Sequence, residues 1–237
     1  MINNNKIVVT GGSGRFAQSL KKIICKYKFI YPKKTQLNIN NSNLIRRYLI
    51  KNKPKSLLHL AGLSRPMIQH KKNIHKSIKL NIIGTANLVN ICSELKIKLI
   101  YFSTSYVYPG KIGNYKEDDA LLPWNNYAWS KLGGECAVQM YKNSLILRIC
   151  MTEKPFVHKK AFTNVKLNFI FHDELSKILI KVLDKKGIIN IGGPSKTVYN
   201  FAKKYNPKIR KILNDRSLNK FPPKPFMNLS KLNKIIK

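Results

Sequence analysis

A glycine-rich turn between an apolar run and a helical pattern constrains the fold of this chain more than any other stretch. The run KIVVT (6–10) predicts a buried β-strand, and VTGGSGRFAQSL (9–20) leads from it directly into a helix. Gly11, Gly14 and Ala17 have the spacing Gly-x-x-Gly-x-x-Ala. Glycines at such a turn let the backbone approach a pyrophosphate, which binds the N–H groups at a helix start. An ordinary glycine turn is the alternative, and the order of elements decides between the two.

Short apolar runs alternate with helical patterns along the chain. Predicted strands cover 6–10, 28–31, 56–62, 98–108, 144–150 and 187–193. The first predicted helix follows the glycine turn and ends at 27, and the second covers 41–52 with Asn41 or Ser42 as its cap. Further helices are predicted over 71–96, around Tyr127, over 172–186 and over 196–205. Strands separated by helices imply right-handed crossovers and a parallel sheet covered on both faces. We therefore predict an α/β fold, a Rossmann-type doubly wound parallel sheet, with a dinucleotide site at the glycine turn.

The net charge raises the question of a polyanionic partner. Lys and Arg number 45 against 10 Asp and Glu, which gives a formal charge of +35. Such a charge is typical of proteins that bind nucleic acid or an anionic membrane surface. The lysines are spread along the whole chain, however, and Lys, Asn and Ile are the residues that AT-rich codons encode. Compositional bias therefore explains much of the charge, and nucleic acid is not the expected partner.

The cysteines and the first residues bear on the cellular compartment. The four cysteines form no Cys-x-x-Cys pair, so neither a metal site nor a disulfide framework is predicted. The segment MINNNKIVVTGG lacks the features of a signal peptide, and no apolar run reaches the roughly 18 to 20 residues that a membrane helix needs. We expect a cytoplasmic protein without a membrane span.

The segment after the second strand indicates which dinucleotide fits. An NAD site usually has an acidic residue there that binds the ribose hydroxyls, but FIYPKKTQLNIN (29–40) contains none. Lys33 and Lys34 lie in this segment and Arg15 lies in the glycine turn, and these cations suit the extra phosphate of NADP. We predict NADPH as the cofactor, with NADH less favoured. The alternative is that these lysines are simply exposed.

A tyrosine and a lysine four residues apart point to chemistry at this site. In NNYAWSKLGGE (125–135), Tyr127 and Lys131 share one helical face. Ser103, Thr104 and Ser105 end the fourth predicted strand, and a parallel strand delivers such residues to the carboxyl edge of the sheet beside the cofactor. An exposed amphipathic helix would explain the Tyr–Lys pair alone. The functional interpretation therefore depends on the three features occurring together.

Glycine turn, strand-end hydroxyl and Tyr-x-x-x-Lys, in this order, resemble the extended short-chain dehydrogenase/reductase family. Further matches are HLAG (59–62), NIIGTANL (81–88) and YAWSKLGGE (127–135), and the resemblance covers roughly residues 6–200. STSYVYPG (103–110), GIINIGG (187–193) and VYNFAKKYNP (198–207) look most like the dTDP-4-dehydrorhamnose reductase branch. This resemblance implies a single NAD(P)-binding domain over 1–237, in which 151–171 and 194–237 form a small, reduced substrate-binding lobe. The last segment, 221–237, is broken by prolines and is expected to wrap the surface.

The resemblance implies a reductase of a nucleotide-linked 4-keto-6-deoxysugar. Tyr127 would donate its proton to the sugar C4 oxygen while NADPH delivers hydride to C4, and Thr104 would hydrogen-bond that oxygen. Lys131 would lower the tyrosine pKa, together with the nicotinamide ring, and hold the nicotinamide ribose. Asn81 matches a residue that supports a proton-relay water in related enzymes, and a helix bend or a cap is an equal alternative.

The family pattern carries further positions over to this chain. Besides Tyr127 and Lys131, the predicted cofactor-binding residues are Gly11, Ser13, Gly14, Arg15, Phe16, Lys33, Lys34, Asn38, Ile39, Ala61, Gly62 and Leu63. The predicted substrate-facing residues are Thr104, Ser105, Arg148 and Met151. Met151 stands where this branch often has an aromatic residue, which leaves the identity of the sugar open.

Other functions remain open at this stage. A nucleotide-sugar 4-epimerase would use the same residues, whereas a 4,6-dehydratase needs an Asp-Glu pair where this chain has Ser105 and Tyr106. Some members of this fold are non-catalytic regulatory subunits or bind RNA. The expected partner is a small nucleotide sugar, and a homodimer is left open.

Overall fold

The computed structural model describes residues 5–215 and 221–237, and a parallel sheet of six strands forms the centre of that part. The strands are β1 (Lys6–Thr10), β2 (Lys28–Ile30), β3 (Ser56–His59), β4 (Lys98–Thr104), β5 (Ser144–Ile149) and β10 (Gly187–Ile191). Their spatial order is β10-β5-β4-β3-β1-β2, and every neighbouring pair runs parallel. The order reverses beside β1, which is the place where doubly wound sheets bind ligands.

Helices cover both faces of this sheet. They are α1 (Arg15–Leu20), α2 (Ser42–Asn52), α3 (Gln69–Lys72), α4 (Ile74–Ile78), α5 (Gly84–Glu94), α6 (Asn126–Gln139), α7 (His172–Val182), α8 (Val198–Lys203) and α9 (Ser230–Ile236). Ile7 and Val9 of β1 pack in one hydrophobic cluster with α1, α7 and α9, whereas Val8 packs in a second cluster with α2, α5 and α6. Alternate residues of a strand point to opposite faces, so both faces of β1 are buried, as the predicted doubly wound fold requires.

A third hydrophobic cluster lies beyond the carboxyl edge of the sheet. It includes Val107, Tyr108, Phe156, Val165 and Met227. Short two-stranded pairings surround it within the described residues: β6 (Met151–Thr152) with β9 (Ile170–Phe171), β7 (Lys160–Phe162) with β12 (Arg210–Ile212), and β8 (Lys166–Leu167) with β11 (Lys196–Thr197). These strands lie within or close to the segments 151–171 and 194–237, whose role as a substrate-binding lobe stays a prediction.

The long helix predicted over 71–96 is instead a series of segments. Asn73 ends α3 and caps α4, since its side chain accepts a hydrogen bond from the Lys76 N–H at 2.9 Å. A π-helical turn, Lys79–Ile83, then separates α4 from α5. Such wide turns inside a helix often occur at functional sites, and this one carries Asn81.

Several elements end earlier than predicted, β4 among them, and the C-terminal segment also differs from its prediction. β4 stops at Thr104, because the Thr104 hydroxyl accepts a hydrogen bond from the Tyr106 N–H and begins a 3-10 turn, Ser105–Val107. The C-terminal segment does not simply wrap the surface. It forms α9, whose Leu232 is buried against the core shared with α7, and Lys231 donates to the Ile188 carbonyl of β10. No helix within 5–215 or 221–237 is long and apolar enough to span a membrane.

Candidate active site

The glycine turn is built by close backbone packing. Gly11 has φ +70°, and a Cβ there would lie 2.7 Å from the Ala61 nitrogen. Only glycine therefore fits this turn without strain. The Gly14 N–H donates to the Gly11 carbonyl at 2.9 Å, which closes the turn just before α1 begins at Arg15. The turn joins the first strand to the first helix, as the sequence predicts, and it lies at the switch point of the sheet.

Two adjoining cavities, of about 520 and 620 Å³, meet at this turn. Gly11, Ser13, Ala61 and Gly62 line both of them. The first cavity also receives Gly14, Arg15, Phe16, Leu63, Thr104, Ser105, Tyr127, Lys131 and Met151, and the second receives Lys33, Lys34, Asn38 and Ile39. An elongated ligand with its middle on the glycine turn fits this arrangement. The structure thus brings nearly all of the predicted site residues together.

The second cavity fits the adenosine half of a dinucleotide. The Tyr31 hydroxyl is buried and has no hydrogen-bond partner among the described residues, and Tyr31 lines this cavity. An unpaired buried hydroxyl is costly unless a ligand or water pairs with it. Lys21 lies 5.0 Å from the centre of the Tyr31 ring, and Lys33 and Lys34 are exposed at the rim. No Asp or Glu of the described residues lines the cavity. This donor set suits a phosphate-bearing ribose.

The first cavity holds the three predicted catalytic groups. Thr104 ends β4, and Tyr127 and Lys131 lie one turn apart near the start of α6. Asn125 caps α6, since its side chain accepts from the Ala128 N–H at 2.8 Å. The Thr104 hydroxyl lies close enough to the Tyr127 phenol to lower its pKa. The strand end and the helix start therefore place a hydroxyl, a phenol and an amine at one end of one cleft.

The electrostatics of this group differ from the sequence-based expectation. Burial raises the pKa of Tyr127 above its usual value, while the Thr104 hydrogen bond and the Arg65 charge lower it by less. Burial lowers the pKa of Lys131 to about 7, and Glu135 opposes that shift. The surrounding protein groups thus keep the phenol protonated at neutral pH. With a pKa of about 7, Lys131 is only partly protonated at neutral pH. The sequence-based expectation was a permanently charged ammonium.

Asn81 connects two segments of the site through side-chain hydrogen bonds. Its Oδ1 accepts from the Leu63 N–H at 2.7 Å, and its Nδ2 donates to the Leu63 carbonyl at 2.9 Å and the Ser130 hydroxyl at 2.8 Å. Ser130 in turn donates to the Tyr127 carbonyl at 2.8 Å. Asn81 is buried and lines neither cavity. It links the loop after β3 to the first turn of α6, and it lies in the π-helical turn. A proton-relay role stays a prediction.

Arg148 does not face the substrate cleft, contrary to the prediction. Its side chain is 2% exposed, and the residue belongs to the inner strand β5. Its Nε and Nη2 donate to Glu135 Oε1 at 3.0 and 2.7 Å, and its Nη1 donates to the Tyr108 hydroxyl and the Glu117 carbonyl. A buried guanidinium needs such partners. Met151 does line the cleft, as predicted.

A charged bridge across the cleft was absent from the sequence predictions. The Glu153 carboxylate accepts from Arg15 at 2.6 Å and from Arg65 at 2.8 Å. Arg15 belongs to the glycine turn, Arg65 to the loop after β3, and Glu153 to the segment after β6, and all three line the first cavity. The sequence could have indicated this bridge only through the positions of its members, because Arg65 and Glu153 lie after the carboxyl ends of β3 and β5. His172 also lines this cavity.

The doubly wound sheet, the glycine turn and the Thr–Tyr–Lys group are the arrangement of an extended short-chain dehydrogenase/reductase. A family model described as the RmlD substrate binding domain matches residues 5–167. The chain therefore belongs to the RmlD substrate-binding-domain family.

Relatives and solved structures agree with this assignment. Methionine adenosyltransferase 2 subunit beta of Pongo abelii is 30% identical over 146 residues, 58% of this chain and 43% of that protein. dTDP-4-dehydrorhamnose reductase of Aggregatibacter actinomycetemcomitans is 26% identical over 152 residues, 62% of this chain and 51% of that protein. The match thus spans about half the length of these relatives.

Two solved structures share the fold. dTDP-4-dehydrorhamnose reductase of Bacillus anthracis, in complex with NADP, superposes with a TM-score of 0.85 at 18% identity, over 98% of this chain and 91% of that one. WbmG of Bordetella bronchiseptica, in complex with NAD, superposes with a TM-score of 0.76 at 15% identity, over 99% of this chain and 89% of that one. At these identities the likeness is one of fold.

Proposed function

We propose that this protein is an NADPH-dependent reductase of a nucleotide-linked 4-keto-6-deoxysugar. The observation that carries the proposal is one cavity that begins at the glycine turn and is lined by the Tyr127 phenol, by Thr104 and by Lys131, which lies one helical turn from Tyr127. The family membership and the dTDP-4-dehydrorhamnose reductases among the similar proteins support the same reaction.

The protein groups suit proton donation. The bound reduced nicotinamide would supply the hydride, and the chain supplies everything else. Because burial keeps the pKa of Tyr127 high, the phenol carries its proton at neutral pH and can give it to a carbonyl oxygen. Thr104 would hold that oxygen, and the Lys131 ammonium would stabilise the phenolate that remains. A protonated phenol is the form that a reduction needs, which favours the reductase over the 4-epimerase.

The cofactor preference follows from the second cavity. Lys33 and Lys34 at its rim, Arg15 at the glycine turn and the lack of a lining carboxylate among the described residues support the 2′-phosphate of NADPH. NAD is the less favoured cofactor, although both dinucleotides occur in the similar structures.

The substrate would enter the first cavity from the lobe side. Ser105 and Met151 line this cavity together with Cys150, a member of the third hydrophobic cluster, and a sugar attached to a nucleotide would lie there. Met151 is smaller and more flexible than an aromatic side chain, so the pocket would accept a different sugar from that of relatives with an aromatic residue at this position.

A second candidate function has its own support. Relatives named methionine adenosyltransferase 2 subunit beta suggest that the chain serves as a subunit of another enzyme. That role requires neither Tyr127 nor a sugar substrate, so a substrate test separates the two candidates.

The test is NADPH oxidation against a panel of nucleotide-linked 4-keto-6-deoxysugars, with analysis of the sugar product. The reductase predicts stoichiometric NADPH consumption and a reduced C4 hydroxyl. An epimer formed without net NADPH consumption would favour the epimerase. NADPH binding without turnover of any sugar in the panel would favour the subunit role.

A further inference from the structure

A buried charged pair lies directly behind the proposed catalytic group. Glu135 follows Lys131 by one turn of α6 and is 0% exposed, and Arg148 of β5 is 2% exposed. Arg148 donates twice to Glu135 Oε1, and Ser103 donates to Oε2. Both carboxylate oxygens thus have partners. Burying such a pair rarely adds stability, so its position next to Lys131 calls for another explanation.

The surroundings of Lys131 are otherwise neutral or positive. Its Nζ lies 4.1 Å from the centre of the Tyr101 ring. Burial, with help from the Lys131 charge, lowers the pKa of His59 to about 3, and burial raises the pKa of Tyr101 well above its usual value. Both groups are therefore uncharged at neutral pH. Several titratable and charged groups interact with Lys131 or with the side chains next to it. They are His59 of β3, Arg65 of the following loop, His70 of α3, Tyr101 of β4, Tyr106 of the 3-10 turn, Tyr127, Glu135 and Cys136 of α6, and Arg148 of β5.

Among these described groups, Glu135 is the one carboxylate that acts on Lys131. Burial alone would discharge the amine, and Glu135 is what opposes this. Arg148 donates twice to the same carboxylate, and a cation in that place offsets part of a negative charge. Neither Glu135 nor Arg148 lines either cavity.

We propose that Glu135 is a positioning residue that keeps Lys131 protonated for the reaction, and that Arg148 limits this effect by sharing the carboxylate. The proposal rests on the proposed reductase function, in which Tyr127 transfers its proton to the carbonyl oxygen and is left as a phenolate. A charged Lys131 stabilises that phenolate until a solvent proton restores the phenol.

The proposal makes predictions of opposite sign for the two partners. Glu135→Gln removes the attracting charge and leaves Arg148 nearby, so the Lys131 pKa falls, by about one unit or more. Arg148→Met leaves the carboxylate entirely to Lys131, so the Lys131 pKa rises. A purely structural pair would destabilise the fold in both variants without moving the Lys131 titration in opposite directions.

The experiment measures the rate at which a small amine-reactive reagent modifies Lys131 as a function of pH, read by peptide mass spectrometry. Wild type, Glu135→Gln, Arg148→Met and the double variant are compared. Glu94→Gln removes a carboxylate from the surface ion pair with Arg46 and is the matched control. We expect a lower midpoint for Glu135→Gln, a higher one for Arg148→Met and an unchanged one for the control.

Each single variant leaves one buried charge without its partner and could fail to fold. The double variant removes both charges of the pair, so it provides a second measurement. It is expected to lower the Lys131 midpoint less than Glu135→Gln does, since it also removes a repelling cation. An unchanged or raised midpoint in Glu135→Gln, or in the double variant where the single variants do not fold, overturns the proposal. The basic limb of the kcat/KM profile should move with the midpoint.

The labelling experiment needs no substrate, so the two proposals fail separately. Shifted midpoints in a protein that reduces no sugar would refute the reductase and keep the role of Glu135. Reductase activity with unmoved midpoints would refute the role of Glu135 alone.

Discussion

Replacing Glu153 with glutamine tests whether the charged bridge competes with the cofactor. The carboxylate pairs with Arg15 at 2.6 Å and with Arg65 at 2.8 Å. The Arg15 side chain is 54% exposed and the Glu153 side chain 22%. An exposed pair of this kind contributes about 0.2–1 kcal/mol. If the phosphates of NADPH must take Arg15 from Glu153, Glu153→Gln lowers the Kd of NADPH by a factor of about 1.4 to 5.

The assay is a fluorescence titration of NADPH at two ionic strengths. The gain should shrink at higher salt, because exposed charges are screened. Glu94→Gln removes a distant surface carboxylate and controls for the change in net charge. Unchanged or weaker NADPH binding in Glu153→Gln, with the control equal to wild type, would show that Glu153 does not compete for Arg15.

Three further predictions follow from the site, the core and the charge. Lys33→Glu combined with Lys34→Glu should weaken NADPH binding much more than NADH binding in parallel titrations, and an unchanged ratio would refute the predicted 2′-phosphate contact. Burial lowers the pKa of Lys98 to about 8, so the unfolded chain binds more protons between pH 8 and 10.5. The Tm of wild type relative to Lys98→Met should therefore rise as the pH increases from 8 to 10 in thermal melts, and a constant difference would contradict this. Duplex DNA or RNA should bind only at low salt, and micromolar binding at about 150 mM salt would contradict the compositional origin of the charge.

The features that sequence predicts well are local or periodic. The strand–turn–helix around Gly11 needs only a glycine spacing and an apolar run, and the pairing of Tyr127 with Lys131 needs only the helical repeat. The alternation of strands and helices sets the fold class because parallel strands require crossovers. These parts of the prediction depend on residues within one element or on the order of elements.

The features that sequence misses depend on distant partners. β5 is buried on both faces, so its pattern does not tell which way Arg148 points, and Glu135 lies on another element. Asn81 of the π-helical turn is hydrogen-bonded to Leu63, 18 residues away in sequence, and no local pattern indicates that contact. α9 is a short helix that gains its stability from docking on the sheet edge.

The charged bridge is missed for a related reason. Arg15, Arg65 and Glu153 lie in three separate loops that meet only after the sheet has formed. Lysine and arginine are so abundant in this chain that no single cation stands out by its type. Residues at the carboxyl ends of the strands therefore give a better guide to the site than charge does.

The most direct test of the account is the turnover of Tyr127→Phe on a sugar that the wild-type protein reduces with NADPH. The change removes one hydroxyl, so NADPH should bind as in wild type while kcat falls by about 10²- to 10⁴-fold, the range that general acid catalysis contributes. Tyr48→Phe, a hydroxyl deletion on α2 outside both cavities, should keep wild-type turnover. If Tyr127→Phe retains more than about a tenth of wild-type turnover, Tyr127 is not the proton donor and the central claim is wrong.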